Sequence, residues 1–115
     1  CGETQCLTEG ESMRQLRLIS QAPEKYPDLE TDQADAVLGK KKDCSDLWIQ
    51  SEAVSRMHAR IEQNKEGCFF ITDLNSMNGT FINGDRLKPN EQREIRSGDR
   101  ISIADHHYRV KIREF

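Results

Sequence analysis

The sequence has few aromatic residues, few prolines and no long apolar run. Aromatic side chains make up 6% of its 115 residues, there are three prolines, and hydrophobic residues of all kinds reach only 35%. No stretch approaches the roughly 20 apolar residues that a membrane-spanning helix requires. The composition therefore excludes membrane insertion of this segment and predicts one domain with a small core, since this length suits a single core but not two.

An excess of positive charge is also lacking. Lysine and arginine number 17 against 20 acidic residues, which gives a formal net charge of −3. Nucleic-acid-binding surfaces hold phosphate backbones with an excess of lysine and arginine. We therefore expect no nucleic-acid partner, and any site for an anion must be local.

Metal-binding cysteine spacings are absent as well. Cys1, Cys6, Cys44 and Cys68 form no C-x-x-C pair and have no nearby histidine pair, so a zinc site is disfavoured. A half-knuckle from Cys1 and Cys6, completed by upstream residues, stays open as a minor alternative. We expect reduced thiols in a cytoplasmic protein, with Cys68 packed as a small apolar residue.

The domain organisation follows from where apolar periodicity starts. Residues 1–13 carry few apolar side chains and show no periodicity, which is typical of a linker or a disordered N-terminal extension. We expect one domain over residues 14–115. The chain begins without an initiator Met, so we also expect this domain to belong to a longer protein.

Short alternating segments indicate β-strands. In residues 14–20, Leu16 and Leu18 alternate with Arg17, which is the pattern of a half-buried strand. Similar short, β-prone segments are bounded by turn residues such as Asn78-Gly79 and Asn83-Gly84. They cover 68–74, 79–82, 93–95, 100–104 and 107–113. This spacing predicts an all-β sandwich or barrel.

One segment favours a helix on local signals. In residues 51–67, Ser51 suits a helix N-cap, Gly67 suits the position after a helix, and Val54, Met57 and Ile61 fall near one stripe. Periodicity alone leaves helix and strand open here.

A set of polar motifs decides between them. In chain order the motifs are Gly39-Lys40, Ser55-Arg56-Met57-His58, Asp73-Leu74-Asn75-Ser76-Met77-Asn78-Gly79-Thr80, Asn83-Gly84 and Gly98-Asp99. Their order and spacing resemble a forkhead-associated (FHA) domain over about residues 14–113. The resemblance implies an eleven-stranded β-sandwich whose loops at one end read phosphothreonine in a partner peptide.

The same resemblance implies a loop and a strand where the local pattern favoured a helix. Ser55 and Arg56 then lie on a loop, and the strand begins near His58. Two residues of this strand are expected to face one side, Ala59 and Ile61. Three are expected to face the other, His58, Arg60 and Glu62.

The residue types suit a phosphate. A phosphothreonine carries a charge of about −1.5 to −2 and several strong acceptor oxygens, so its receptor needs converging donors and at least one cation. Ser55 offers a hydroxyl, Lys40 and Arg56 offer cations, and Asn78 offers an amide for a peptide main chain.

The resemblance implies a role for each site residue. Lys40 and Ser55 contact the phosphate, Arg56 contacts the phosphate or the adjoining peptide backbone, Asn78 clamps the peptide chain, and Met77 lines the pocket edge near the threonine. Structural support comes from Gly39, from His58, which braces the Ser55 loop, and from Gly79, which permits a turn. Lys40 departs from the arginine usual in the family, so it keeps the charge without the two-pronged donor geometry.

Other interpretations of these residues are weaker. Ser55 and His58, oriented by Asp73, have the residue types of a nucleophile and base, but no oxyanion or nucleophile-elbow pattern accompanies them. His106-His107 is expected to be a surface turn rather than a metal site, because adjacent strand residues point to opposite faces. Trp48 is expected in the core or on a strand surface.

The sequence therefore predicts a non-enzymatic phosphothreonine-peptide binding module without a cofactor. With its Gly39-Lys40 pair, the lysine-rich loop that follows and the compact motifs, the sequence resembles FHA domains at the C-terminal end of longer bacterial proteins. We expect a cytoplasmic monomer. A small neutral residue, Ala53, precedes the pocket serine by two positions, so an acidic residue three after the phosphothreonine is not specially favoured. The alternative is a scaffold or oligomerisation FHA domain that binds partners without phosphate.

Overall fold

Apolar and polar residues alternate along the longer strands of this chain. The computed structural model describes residues 14–114, so the predicted linker over 1–13 and the last residue of the predicted domain lie outside the described residues. Within that range there are eleven strands. They are β1 Arg14–Ser20, β2 Leu29–Thr31, β3 Asp35–Gly39, β4 Leu47–Trp48, β5 Ala59–Gln63, β6 Phe69–Asp73, β7 Thr80–Ile82, β8 Asp85–Arg86, β9 Gln92–Ile95, β10 Arg100–Ile103 and β11 His106–Glu114.

The strands form two sheets. One has six strands in the order β2-β1-β11-β10-β7-β8, and the other has five in the order β9-β6-β5-β3-β4. Neighbouring strands are antiparallel except β3 and β4. A single 3-10 turn over Lys42–Cys44 is the only helical element among the residues that the structure describes. None of the described helices is long and apolar enough to cross a membrane.

Side chains from the inner faces of both sheets fill the core. In β1, Leu16 and Leu18 are fully buried while Arg17 is exposed, as expected when successive strand residues face opposite sides. The core includes Leu16, Leu18, Leu38, Ile61, Phe69, Ile71, Ile101, Ile103, Tyr108 and Val110. The predicted all-β sandwich is confirmed.

The segment with the helical pattern is a loop followed by a strand. Residues 49–58 form the loop, and β5 begins at Ala59. Ala59 and Ile61 are buried and Arg60 is exposed, as predicted. His58 lies just before the strand and is fully buried, so it does not share the solvent side of Arg60.

The predicted turn at His106-His107 is wrong. Both histidines lie in β11, and the turn falls two residues earlier, at Ala104-Asp105. Ala104 has a φ of 56°, a left-handed conformation that closes this turn without glycine. His106 is buried against Tyr26 with ring centroids 4.1 Å apart, whereas His107 is exposed. The described residues contain no group of three or more potential metal ligands.

Three connections bring the motifs around Lys40, Ser55 and Asn78 to one end of the sandwich. Residues 40–46 join β3 to β4, residues 49–58 join β4 to β5, and residues 74–79 join β6 to β7. Antiparallel pairing of β5 with both β3 and β6 aligns these connections at the same sheet edge.

Candidate functional site

The first two loops are joined through their backbones at the end of β3. The Lys40 N–H donates to the Ser55 carbonyl at 3.0 Å, and the Lys41 N–H donates to the Arg56 carbonyl at 3.3 Å. Gly39 makes this approach possible, because a Cβ there would lie only 1.9 Å from the Arg56 carbonyl oxygen. The predicted supporting glycine therefore marks the point where the two loops touch.

Ser55 links the second loop to the third. Its Oγ accepts a hydrogen bond from the Met77 N–H at 3.1 Å. A serine hydroxyl has one hydrogen to donate in addition to its acceptor lone pairs. Because the Met77 amide occupies only an acceptor position, the Ser55 hydroxyl hydrogen can still be donated to a ligand.

His58 holds the second and third loops together from below. The Ser55 N–H donates to His58 Nδ1 at 3.0 Å, so Nδ1 carries no proton, and the Nε2–H donates to the Gly79 carbonyl at 2.8 Å. Burial lowers the pKa of His58 below its ordinary value of 6.5, an effect that the Gly79 carbonyl and the Asp73 carboxylate oppose. The ring is therefore held in the neutral form that the hydrogen bond from the Ser55 N–H requires.

A buried carboxylate organises the third loop. Asp73 accepts hydrogen bonds from the Ser76 hydroxyl at 2.5 Å and from the Thr80 hydroxyl at 2.8 Å. The Ser76 Oγ in turn accepts from the Gly79 N–H at 3.1 Å. Gly79 has a φ of 92°, which a residue with a side chain rarely adopts. Residues 73–80 therefore form a tightly bonded turn.

These contacts do not assemble a nucleophile and base. His58 Nδ1 is occupied by a backbone N–H, and its Nε2 faces a carbonyl oxygen. Asp73 binds Ser76 and Thr80 rather than orienting the His58 ring. Catalysis by Ser55, His58 and Asp73 therefore lacks the hydrogen bonds that it requires.

Asn78 and Met77 form the outer edge of the third loop. The Asn78 side-chain amide donates one hydrogen bond to the Ala53 carbonyl at 2.6 Å. Asn78 is exposed, and its amide has a second N–H and a carbonyl oxygen that can serve a ligand main chain. Met77 is 83% exposed, an unusual position for a large apolar side chain that no neighbour covers.

All five predicted binding residues line one groove. It has a volume of about 240 Å³ and is lined by Lys40, Glu52, Ala53, Val54, Ser55, Arg56, Met77 and Asn78. The structure thus brings together side chains that lie up to 38 positions apart, from Lys40 to Asn78. Glu52 is an acidic member of the lining that the motifs did not single out.

The cations of the first loop differ in how they are placed. The Lys40 carbonyl accepts from Trp48 Nε1 at 2.9 Å, which fixes its backbone at the groove. The Lys42 ammonium lies 5.0 Å from the centre of the half-exposed Trp48 ring, a distance that suits a cation–π contact. Lys42 therefore packs on the strand surface instead of lining the groove.

Sequence reasoning assigned no structural role to several residues that shape these loops. Ser76, Thr80 and Asp73 stood in the quoted motif, and their buried network is the reason for that spacing. Arg86 left no local signal. It reaches from β8 to the Met77 carbonyl at 3.4 Å and lies over the Phe81 ring, which only the β7–β8 pairing brings about.

A larger groove lies at the opposite end of the sandwich. It has a volume of about 570 Å³ and includes Phe69, Ile95 and Ile112 in its lining. Its Arg96 is paired with Glu94 at 3.4 Å. Because all five residues predicted to bind the ligand line the smaller groove and none lines the larger one, the smaller groove is the stronger candidate for a ligand site.

A rigid β-sandwich that presents a hydroxyl, cations and an amide from its end loops is a loop-based binding module. Comparison with known proteins gives the particular family. The family model for the FHA domain matches residues 36–104, and the chain belongs to this family, whose members are binding modules rather than enzymes.

Individual relatives agree. The chain is 31% identical over 89 residues to the oxoglutarate dehydrogenase inhibitor of Corynebacterium efficiens, covering 77% of this chain and 59% of that protein. It spans less than a fifth of the length of several other curated relatives.

Solved structures show the same fold. Mycobacterium tuberculosis EmbR, in complex with a low-affinity phosphopeptide, superposes with a TM-score of 0.74 at 27% identity, over 88% of this chain and 25% of that one. A domain from a study of phosphothreonine-dependent FHA interactions superposes with a TM-score of 0.68 at 20% identity, over 90% of this chain and 97% of that one.

Proposed function

We propose that this domain binds phosphothreonine-containing peptides in the groove between its end loops. The observation that carries the proposal is the Ser55 hydroxyl, which accepts from the Met77 N–H and keeps its own hydrogen for a phosphate oxygen. Membership of the FHA family and the phosphopeptide complex of EmbR support it.

As part of this proposal we assign each site residue the role that the family resemblance implies. Ser55 and Lys40 contact the phosphate, Arg56 contacts the phosphate or the neighbouring peptide backbone, and Asn78 holds the peptide main chain with its remaining donor and acceptor. Met77 covers the threonine side. The ligand meets loops that are already bonded to each other, so the entropy of ordering the peptide is the main cost of binding.

Loss of the Ser55 hydroxyl tests the proposal. A hydrogen bond to a charged group contributes about 1.5–3 kcal/mol, so Ser55→Ala is expected to weaken binding of a phosphothreonine peptide library about tenfold or more. Isothermal titration calorimetry with the library, its phosphoserine counterpart and its unphosphorylated counterpart measures the effect. The phosphothreonine library is expected to bind most tightly.

A matched control separates binding from folding. The Ser97 hydroxyl also accepts a backbone N–H, from Ile112 at 2.7 Å, in the loop between β9 and β10. Ser97→Ala therefore removes the same type of bond and is expected to leave binding unchanged. Equal affinity of the parent domain for phosphorylated and unphosphorylated peptides would refute the phosphate site and favour a phosphate-independent scaffold.

We extend the proposal to the cellular setting. The domain over residues 14–115, preceded by a linker, acts in the cytoplasm as a monomeric recruitment module of a longer bacterial protein. The bacterial oxoglutarate dehydrogenase inhibitor among its relatives supports the source. Size-exclusion chromatography with light scattering tests the monomer.

A further inference from the structure

The outer face of the six-stranded sheet carries a concentration of positive charge. We call this surface the basic face and define it by five exposed side chains, Arg17, Arg100, Arg109, Lys111 and Arg113. They come from the neighbouring strands β1, β11 and β10. Such a cluster is unexpected in a chain whose formal net charge is −3.

Strand pairing places like charges directly opposite each other on this face. Lys111 pairs with Arg17, and Arg100 pairs with Arg109. Like charges in directly opposite positions of an antiparallel pair are destabilising. The arrangement therefore opposes folding stability, and an anionic partner bound across these strands would relieve the repulsion.

Most of this charge has no carboxylate partner. Arg17 lies 3.5 Å from both Asp28 and Glu30. Within residues 14–114, no ion pair involves the other four members of the basic face. A groove of about 330 Å³ runs between Gln15, Arg17, Lys111 and Arg113, so Lys111 and Arg113 border open space.

We propose that the basic face binds an extended acidic segment of a partner protein. Arg109, Lys111 and Arg113 point outwards from alternate positions of β11, so their Cα atoms repeat about every 6.8 Å. An extended peptide with carboxylates at alternate residues has the same repeat. A segment of about five residues therefore matches the charges of β11 one for one.

The surroundings of the basic face favour a peptide over a single-stranded nucleic acid. Nucleic-acid grooves combine cations with aromatic rings on which bases stack. The nearest aromatic groups on this face are already engaged: Arg86 lies over the Phe81 ring, and His107 is hydrogen-bonded to Ser102 at 2.8 Å. The net charge of −3 also disfavours a long phosphate backbone that extends beyond this face.

An unphosphorylated peptide of alternating Glu and Ser, labelled for fluorescence anisotropy, tests the proposal. The parent domain is expected to bind it at low salt, and binding should weaken as salt rises. The double substitution Lys111→Gln with Arg113→Gln is expected to weaken binding about fivefold or more. Its melting temperature should stay equal or rise, because one like-charge pair is removed.

Three controls make the result specific. Lys25→Gln with Lys88→Gln changes the net charge equally on other surfaces and should leave binding intact, and so should Ser55→Ala in the phosphopeptide groove. A matched peptide of alternating Gln and Ser should not bind. The proposal is overturned if the Glu peptide does not bind, if the Lys111 and Arg113 substitutions leave its affinity unchanged, if Ser55→Ala abolishes it, or if a single-stranded oligothymidylate binds more tightly.

Discussion

Gly39→Ala is the substitution for which the structure gives the sharpest expectation. A Cβ at this position would lie 1.9 Å from the Arg56 carbonyl oxygen, where real Cβ contacts stay above 3.0 Å. The backbone fixes the position of the Cβ, and the oxygen is itself a backbone atom, so no side-chain rotation can relieve the contact. The loop that carries Ser55 and Arg56 would therefore have to move away from β3 by about 1 Å.

That displacement breaks the bonds that join the first two loops. The Lys40 N–H to Ser55 carbonyl bond and the Lys41 N–H to Arg56 carbonyl bond, at 3.0 and 3.3 Å, are both lost. At about 1 kcal/mol each, with some added strain, the free energy of unfolding should fall by about 2–3 kcal/mol. For a domain of this size the melting temperature should then fall by about 10–20 °C.

Phosphopeptide binding should fall with it, because Ser55 and Arg56 move together with the loop. Thermal unfolding followed by circular dichroism and titration calorimetry below the melting temperature measure both effects. Gly84→Ala is the matched control, since its φ of 90° brings strain but no atom lies within 4 Å of the added Cβ. It should destabilise by about 1 kcal/mol and leave binding intact. A Gly39→Ala variant that melts and binds like its parent would refute this account of the loops.

Two further predictions concern the groups beneath the groove. Burial lowers the pKa of His58 below 6.5, so as pH falls below 6.5 this histidine is protonated in the unfolded chain before it is protonated in the folded one. The contribution of His58 to the free energy of unfolding is therefore complete above pH 6.5 and is lost on acidification. The melting temperature of the parent should therefore fall more steeply from pH 7 to about pH 5 than that of His58→Gln, and parallel decreases would contradict the neutral bracing role. Asp73→Ala leaves the Ser76 and Thr80 hydroxyls without their acceptor and should lower the free energy of unfolding, measured by urea denaturation, by about 3 kcal/mol. The control Asp85→Ala, at an exposed carboxylate 3.9 Å from Arg93, should lower it by less than about 0.5 kcal/mol. Equal losses in the two variants would count against the buried network.

Strands with clear alternation could be predicted from the sequence, and short ones could not. β1, Arg14–Ser20, has the predicted bounds, because Leu16 and Leu18 alternate with the polar residues Gln15 and Arg17. β2 and β8 have only three and two residues, which is too short for a period-two pattern to stand out. Their strand conformation depends on pairing with β1 and β7.

Local spacing misled where tertiary contacts override it. The segment with Val54, Met57 and Ile61 has helical spacing, but it meets Gly39 and the loop around Asn78 through backbone and side-chain hydrogen bonds. Those partners are distant in sequence, so no local pattern contains them. The turn wrongly assigned to His106-His107 has the same cause, since the His106 ring is buried by stacking on Tyr26.

The sequence by itself determined the chemical groups of the candidate site and the positions of several turns. Hydroxyl, cation and amide residues stand in a motif order typical of one family, and residues such as Asn83 and Gly84, both with positive φ, mark a turn by their intrinsic backbone preference. Only the tertiary structure decided which of these groups meet. Convergence of Lys40, Ser55 and Asn78 on one groove requires the pairing of β5 with β3 and β6. Likewise, the basic face exists because pairing between β1 and β11 sets Arg17 opposite Lys111, a contact between residues that are neighbours in space alone.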